Sequence, residues 1–417
     1  MNIENVIKVD LQLTTQHRTL KENITISGSK SESNRLLILQ KLFTSLKIEN
    51  LSDSDDSNHL LEALQSNNDT VNIGHAGTAM RFLTAYFSCQ EGKEVVLTGS
   101  ERMQNRPIGI LVDALRSLGA TIEYVAKEGY PPLKITGQKL KKNKVQINGN
   151  VSSQYISALS LVAPSLDKGL EIELIGKITS VPYINMTLSL LDELGVKNSF
   201  ESNVIRIYPK EELEEKTIIV ESDWSSASYF YSLVALSELG STIELTAYKQ
   251  NSLQGDSCLA SIYEHFGVTT TFKENSIILT KEKEVKTTSL ELDLKNAPDI
   301  AQTIAVTCFG LGVSCNLFGL HTLKIKETDR LEALKDELTK FGAVISVTNE
   351  SLHLESSNEM NKDVTVKTYE DHRMAMAFAP LALKVPLRIS EAMVVTKSYR
   401  NFWNDMQKIG MNIEQVK

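Results

Sequence analysis

The chain has 417 residues, with 44 Lys and Arg against 52 Asp and Glu, a formal net charge of -8. That length is too great for one ordinary core, so two domains are expected, and the acidic balance, with no basic stripe, argues against nucleic acid as the main partner. The four cysteines, Cys89, Cys258, Cys308 and Cys315, form neither a CxxC pair nor a metal-ligand cluster with His, and they are too few for a disulfide framework. A reducing cytoplasm fits that usage. The start, MNIENVIKVD, lacks a basic stretch followed by an apolar one, so no signal peptide is expected.

Taken in order, the chain opens with a strand in NVIKVDLQL, expected to cross into the second domain. Then come helices that start small, polar or acidic and continue almost wholly apolar. They are SKSESNRLLILQKLF, HAGTAMRFLTAYF, SSQYISALSLVAPSL, SDWSSASYFYSLVAL, APDIAQTIAVTCFGL and EDHRMAMAFAPLAL. Helices apolar on every side belong in the interior. A strand-like run follows each: SLKIENL, EVVLTG, LEIELIG, TIELTA, SCNLFGL and LRISEA. The stretch from Ile300 to Leu320 carries no charge, nearly enough to cross a bilayer. Its polar residues and its GLG break instead predict a buried helix followed by a strand.

A second, amphipathic set of helices interleaves with the first, each ending in a glycine before an alternating strand. The glycines are Gly119, Gly195, Gly267, Gly342 and Gly410, separated by 76, 72, 75 and 68 residues, and each sits where a helix C-terminus favours glycine. The chain therefore reads as six units of about 70 residues, the first one short. Three units per domain give an α/β layered architecture. The expected boundaries are 21–222 for one domain and 1–20 plus 223–417 for the other, with linkers near 20–26 and 219–224.

The buried helices begin with residues that a core does not need: Lys30 and Ser31, Gly77 and Thr78, Ser152, Ser153 and Gln154, Asp299, and Asp371, His372 and Arg373. Free N–H groups and the helix dipole make such ends attractive to anions. Ser, Thr and Asp also cap helices without any further role. Capping does not account for Lys30, Arg35, Arg81 and Arg373, because a cation near a helix N-terminus is unfavourable unless an anion offsets it. In KIKETDR, a helix start would put Lys326 and Arg330 on one face with Glu327 pointing elsewhere. Arg106 precedes Pro107 and is held extended before the next helix, and Lys397 sits similarly before the last one.

The ordered motifs GSKSESNR, HAGTAMR, ERMQNRPIG, VSSQYISAL, SVPYI, SSASYF, LQGD, NAPD, KIKETDR and YEDHRMAMA resemble those of the 5-enolpyruvylshikimate-3-phosphate synthase family, from about Lys8 to Met411. The resemblance implies a two-domain inverse α/β barrel, the enolpyruvyl transferase fold, with three repeated helix–sheet units per domain and an active site in the interdomain cleft. It implies transfer of the enolpyruvyl group of phosphoenolpyruvate to the 5-hydroxyl of shikimate 3-phosphate. The route is addition and elimination through a tetrahedral intermediate, without metal or organic cofactor, in a cytoplasmic monomer that contacts no membrane.

By that resemblance Lys30, Gly77, Arg106, Gln154, Arg330, Arg373 and Lys397 would hold phosphoenolpyruvate. Lys30, Ser31, Arg35, Ser152, Ser153, Gln154, Ser180, Asp299 and Lys326 would hold shikimate 3-phosphate. Asp299 would be the base toward the 5-hydroxyl and Glu327 the proton donor to the methylene carbon, with Lys30 also counted as catalytic. The chain departs from the family pattern at His75, Phe82 and Thr322, while Gly77 is the small residue expected of glyphosate-sensitive members.

Two alternatives stand beside this reading. An enolpyruvyl transferase acting on UDP-N-acetylglucosamine would normally present a reactive Cys on a mobile loop, and none of the four cysteines reads that way. A protein that binds anions without turnover would tolerate loss of Asp299 or Glu327, and both are present.

Overall fold

The computed structural model describes residues 9–15, 18–150, 152–178, 181–357 and 359–416. The chain divides into two compact units, one of Gly28–Val220 and one formed by the chain up to Ser27 with the stretch from Glu221 onward. The first unit therefore begins later than expected. Strand Lys21–Ile24 pairs in parallel with Thr242–Thr246, which ties residues 21–27 to the other unit.

Among the described residues each unit contains three sheets, and one pattern recurs in them. A strand leads into a buried helix, a parallel strand, an outer helix and an antiparallel hairpin. In the unit Gly28–Val220 the complete copies are Thr70–Asn72 through Leu133–Thr136, and Lys144–Asn148 through Val204–Ile207. The short copy has helix Lys30–Leu42 and strand Leu46–Glu49, and takes its parallel partner, Lys216–Ile219, from the far end of the unit.

In the other unit the sheet of Leu387–Ile389 is completed by the chain's own start. Strand Asp10–Thr15 lies between Leu387–Ile389 and Met411–Val416, as expected for a strand that crosses over. The uncharged stretch resolves into helix Ala301–Leu311 and strand Ser314–Phe318, separated by Gly312 at φ 71°. Among the described residues no helix is long and apolar enough to cross a membrane. All five repeat glycines take positive φ, a conformation that a Cβ disfavours.

The interior helices carry small hydroxyl residues where they meet. In helix Trp224–Leu236 every residue but Ser225 is buried. Ser228 lies 3.0 Å from the hydroxyl of Thr303, and Thr307 lies 2.7 Å from that of Ser232 and 2.9 Å from that of Tyr263. Small side chains allow close approach, and hydroxyls that pair with each other need no water. One expectation is corrected here. LASIYEHF is not one amphipathic helix but a single α-turn, Leu259–Ile262, followed by a tighter one, Tyr263–Phe266.

Replacing Thr307 by Val keeps the volume but strands two buried hydroxyls. Thr307→Val should lower the stability of this unit by ~1–3 kcal/mol, measured by urea unfolding through Trp224 and Trp403, which both lie in it. An unchanged midpoint would contradict this packing.

Candidate active site

In the unit Gly28–Val220, helix Lys30–Leu42 is capped by the Ser29 side chain, which accepts from the N–H of Glu32. Lys30 Nζ stands 3.6 Å from Asp56 and keeps 22% of its side chain exposed. Ser31 is half-buried beside it. Arg35 lies deeper than Lys30 and Ser31. It is 3% exposed and donates to Thr187 Oγ1 at 2.7 Å, the Ser31 carbonyl at 2.7 Å, Ser157 Oγ at 3.0 Å and the Tyr183 carbonyl at 3.3 Å. It therefore braces three helices from within. Burial alone pulls its pKa down to about 10, still fully charged near neutral pH.

Arg81 acts in the same way for the next helix, Gly77–Ser88. It donates to the carbonyls of Gly77 at 3.1 Å and Pro107 at 3.0 Å, while Tyr155 donates to the Pro107 carbonyl at 2.8 Å. These bonds fix the turn that carries Arg106. A Cβ on Gly77 would overlap the Arg106 guanidinium, 3.1 Å from its Cζ, so a larger residue there would push the tip of Arg106 aside. Gln154 donates to Thr78 Oγ1 at 3.1 Å, which ties the starts of two interior helices together. Ser152 is exposed and caps helix Ser153–Val162, whereas Ser153 is buried. Ser180 lies outside the described residues.

The other unit gathers a denser cluster. Helix Arg330–Lys340 starts only at Arg330, capped by the Asp329 side chain, so Lys326 and Glu327 precede it and share no helix face with Arg330. Ion pairs join them instead. Arg330, with 2% of its side chain exposed, donates to Asp371 at 2.6 Å, to Asp299 at 2.9 Å and to Glu327 at 2.8 Å. Glu327 thus points at Arg330, not away from it. Lys326 stands 3.3 Å from Asp299, and Arg373 reaches the same carboxylate at 3.4 Å. Asp371, fully buried, also caps the short helix His372–Phe378 by accepting from the N–H of Arg373. Lys397 donates to the carbonyl of Glu370 at 2.9 Å. His372 is buried beside this cluster.

The electrostatics follow from this geometry. Burial works to raise the Asp299 carboxyl, but Lys326, Arg373 and Arg330 outweigh it and hold it well below the usual range. Burial opposes the charge of Arg330, and Asp371, Glu327 and Asp299 overcome it. Lys326, Arg330 and Arg373 thus stand among the carboxyl groups of Asp299, Glu327 and Asp371 in one network of ion pairs.

Asp256 and Ser225 also belong here, although the sequence reading did not single them out. Ser225 donates to Asp256 and lies 3.2 Å from Arg373. Burial, then the nearby charge of Asp299, pushes the Asp256 carboxyl up to about 6. Its motif LQGD was visible, but nothing local marks that aspartate as buried.

No group of three or more His, Cys, Asp or Glu among the described residues could hold a metal ion. Burial pushes the thiols of Cys89 and Cys258 up to about 12, away from the thiolate a nucleophile needs. The chemistry on offer is anion binding with proton transfer at carboxylates.

Solved structures share this architecture. An EPSP synthase from Acinetobacter baumannii superposes with a TM-score of 0.82 at 21% identity, covering 98% of this chain and 100% of that one. The enolpyruvyl transferase NikO from Streptomyces tendae gives 0.74 at 13% identity, covering 98% and 99%. The fold is thus that of the enolpyruvyl transferases, an inverse α/β barrel in repeated helix–sheet units.

Sequence comparison is more specific. The family model for EPSP synthase (3-phosphoshikimate 1-carboxyvinyltransferase) matches residues 64–406. A 3-phosphoshikimate 1-carboxyvinyltransferase of Bacteroides fragilis (strain YCH46) is 46% identical, over 95% of this chain and 97% of that protein. One of Haemophilus influenzae (strain PittGG) is 36% identical, over 93% and 96%. The chain belongs to the EPSP synthase family.

The raised Asp256 carboxyl has a consequence with a definite sign. Between about pH 4 and 6 the folded chain holds a proton there that the unfolded chain has lost, so this group's contribution to stability falls as pH rises through that window. Asp256→Asn should therefore gain on the wild type by up to about 3 kcal/mol between pH 4 and 7, read as melting temperature against pH. Parallel curves for the two proteins would contradict the buried carboxyl.

Proposed function

We infer that the chain transfers the enolpyruvyl group of phosphoenolpyruvate to the 5-hydroxyl of shikimate 3-phosphate and releases phosphate. One observation carries the reading beyond family membership. Two carboxylates of different position, Asp299 and Glu327, are held on one buried guanidinium, at 2.9 and 2.8 Å, with Lys326 and Arg373 beside them. A site that must bind two anionic substrates and move two protons needs both kinds of group.

The steps follow from these residues. Lys30, Gly77, Arg106, Gln154, Arg330, Arg373 and Lys397 hold phosphoenolpyruvate. Lys30, Ser31, Arg35, Ser152, Ser153, Gln154, Ser180, Asp299 and Lys326 hold shikimate 3-phosphate. With its cations in place Asp299 is a weak base. Substrate phosphates and carboxylates that draw off Lys326, Arg373 and Arg330 return basicity to it, so the base is ready only when substrate is bound.

Asp299 then accepts the proton of the 5-hydroxyl as that oxygen bonds to C2, and Glu327 gives a proton to C3. In the second half the C3 methyl returns a proton to Glu327, the C2–O bond to phosphate breaks, the departing phosphate takes up the proton held by Asp299, and the enol ether and phosphate leave. Reactions of this kind draw on oriented charge more than on any single group.

Transfer to UDP-N-acetylglucosamine is disfavoured by the thiols of Cys89 and Cys258, which burial holds protonated. The reading includes a cytoplasmic monomer that needs no metal or organic cofactor. It also includes inhibition by glyphosate in competition with phosphoenolpyruvate, since Gly77 leaves Arg106 in place.

The test is phosphate release in EDTA. Release should require both substrates, slow with glyphosate, and fall by about 10²–10⁴-fold in Glu327→Gln. Release with UDP-N-acetylglucosamine in place of shikimate 3-phosphate, or none with any pair, would overturn the reading.

A further inference from the structure

The segment that delivers Arg373 has an unusual backbone. It leaves strand Val364–Val366 and enters helix His372–Phe378 through Tyr369 and Glu370, at φ 53° and 54°. Two consecutive residues with a Cβ in the left-handed region are unfavourable and persist only where surroundings fix them.

The surroundings do so from one helix. Arg330 and Glu337 lie seven residues apart on helix Arg330–Lys340, two turns along the same face. Arg330 holds Asp371 at one end of the turn. Glu337, fully buried, holds the other end. One of its oxygens accepts from the Tyr369 hydroxyl at 2.7 Å, and the other from the Lys367 N–H at 3.1 Å. Lys340 offsets its charge at 2.6 Å. Inside the turn the N–H of Asp371 donates to the Thr368 carbonyl at 2.8 Å, and the Glu370 carbonyl receives Lys397 at 2.9 Å. The turn therefore sets the place of two cations at once: Arg373 follows it in the chain, and Lys397 rests on its outer carbonyl.

We propose that Tyr369 and Glu337 are positioning residues for phosphoenolpyruvate binding, locking the strained turn that places Arg373 and Lys397. Neither touches substrate. Without the hydroxyl the turn relaxes, the Glu370 carbonyl swings away, and both cations lose their fixed position. Arg330 is still held by Asp299 and Glu327. The inference rests on the functional reading above, in which Arg373 and Lys397 serve phosphoenolpyruvate, while Ser31, Ser152 and Ser153 of the other unit serve shikimate 3-phosphate.

The experiment compares full-length wild type, Tyr369→Phe and Glu337→Gln in the two-substrate phosphate-release assay, with the melting temperature of each. Tyr369→Phe should raise KM for phosphoenolpyruvate by about 5- to 10-fold. KM for shikimate 3-phosphate should stay unchanged, and Glu337→Gln should shift the same constant in the same direction. A merely structural hydroxyl would lower the melting temperature without separating the two KM values. Unchanged constants in Tyr369→Phe, a rise shared equally by both substrates, or a loss confined to kcat would each overturn the inference alone. Tyr369→Phe decides the matter even if Glu337→Gln does not fold. Wild-type protein that releases no phosphate would overturn the functional reading, and this inference with it.

Discussion

The guanidinium of Arg330 is the point on which its unit is organised. It is nearly inaccessible, yet carries a full charge among Asp371, Asp299 and Glu327. Those partners stand at three places: the start of helix His372–Phe378, the turn before helix Ala301–Leu311, and the approach to Arg330's own helix. One charged group thus ties three elements together. Removing any one carboxylate leaves a buried charge under-compensated, which in other proteins costs about 3–5 kcal/mol. A buried ion cluster adds little net stability over apolar packing, so its presence points to a task that apolar packing cannot do. Here the task is to keep cations oriented and ready for an anionic substrate.

The other unit solves the same problem with backbone oxygens. Arg35 and Arg81 stand in the second turns of interior helices, buried where a charge needs partners. They are stabilised by hydroxyls and by carbonyls of Ser31, Tyr183, Gly77 and Pro107. In return they set the positions of Lys30, Ser31 and Arg106. In both units a buried arginine joins neighbouring elements: Arg330 through carboxylates, Arg35 and Arg81 through carbonyls and hydroxyls.

Much of this was legible in the sequence because it is local. A glycine after an amphipathic helix, an apolar run starting with a cap, and a Gly–Leu–Gly break are read from neighbours, and the six units follow from their repetition. What escaped depends on distant partners. The boundary shifted because Lys21–Ile24 pairs with a strand more than 200 residues away, and no local signal shows that. KIKETDR reads as a helix start on charge spacing, but Asp329 caps one residue before Arg330, which leaves Lys326 and Glu327 outside the helix. The hydrogen bonds of Arg35 to Thr187 and Ser157, more than 100 residues away, have no local signal either. Asp256, Glu337 and Tyr369 carry no signature of their own, because burial and a remote hydrogen bond give them their roles.

The account's central claim is that Asp299 competes with substrate for the cations that hold it, and that substrate binding releases it as a base. The most direct measurement is kcat and both KM values for Asp299→Asn, an isosteric change that removes only the charge. The account predicts a kcat lower by about 10²–10⁴-fold, with KM for the anionic substrates unchanged or lower, because Lys326, Arg373 and Arg330 are freed. A raised KM with kcat preserved would show that Asp299 serves only to hold its neighbours in place, and would contradict the claim.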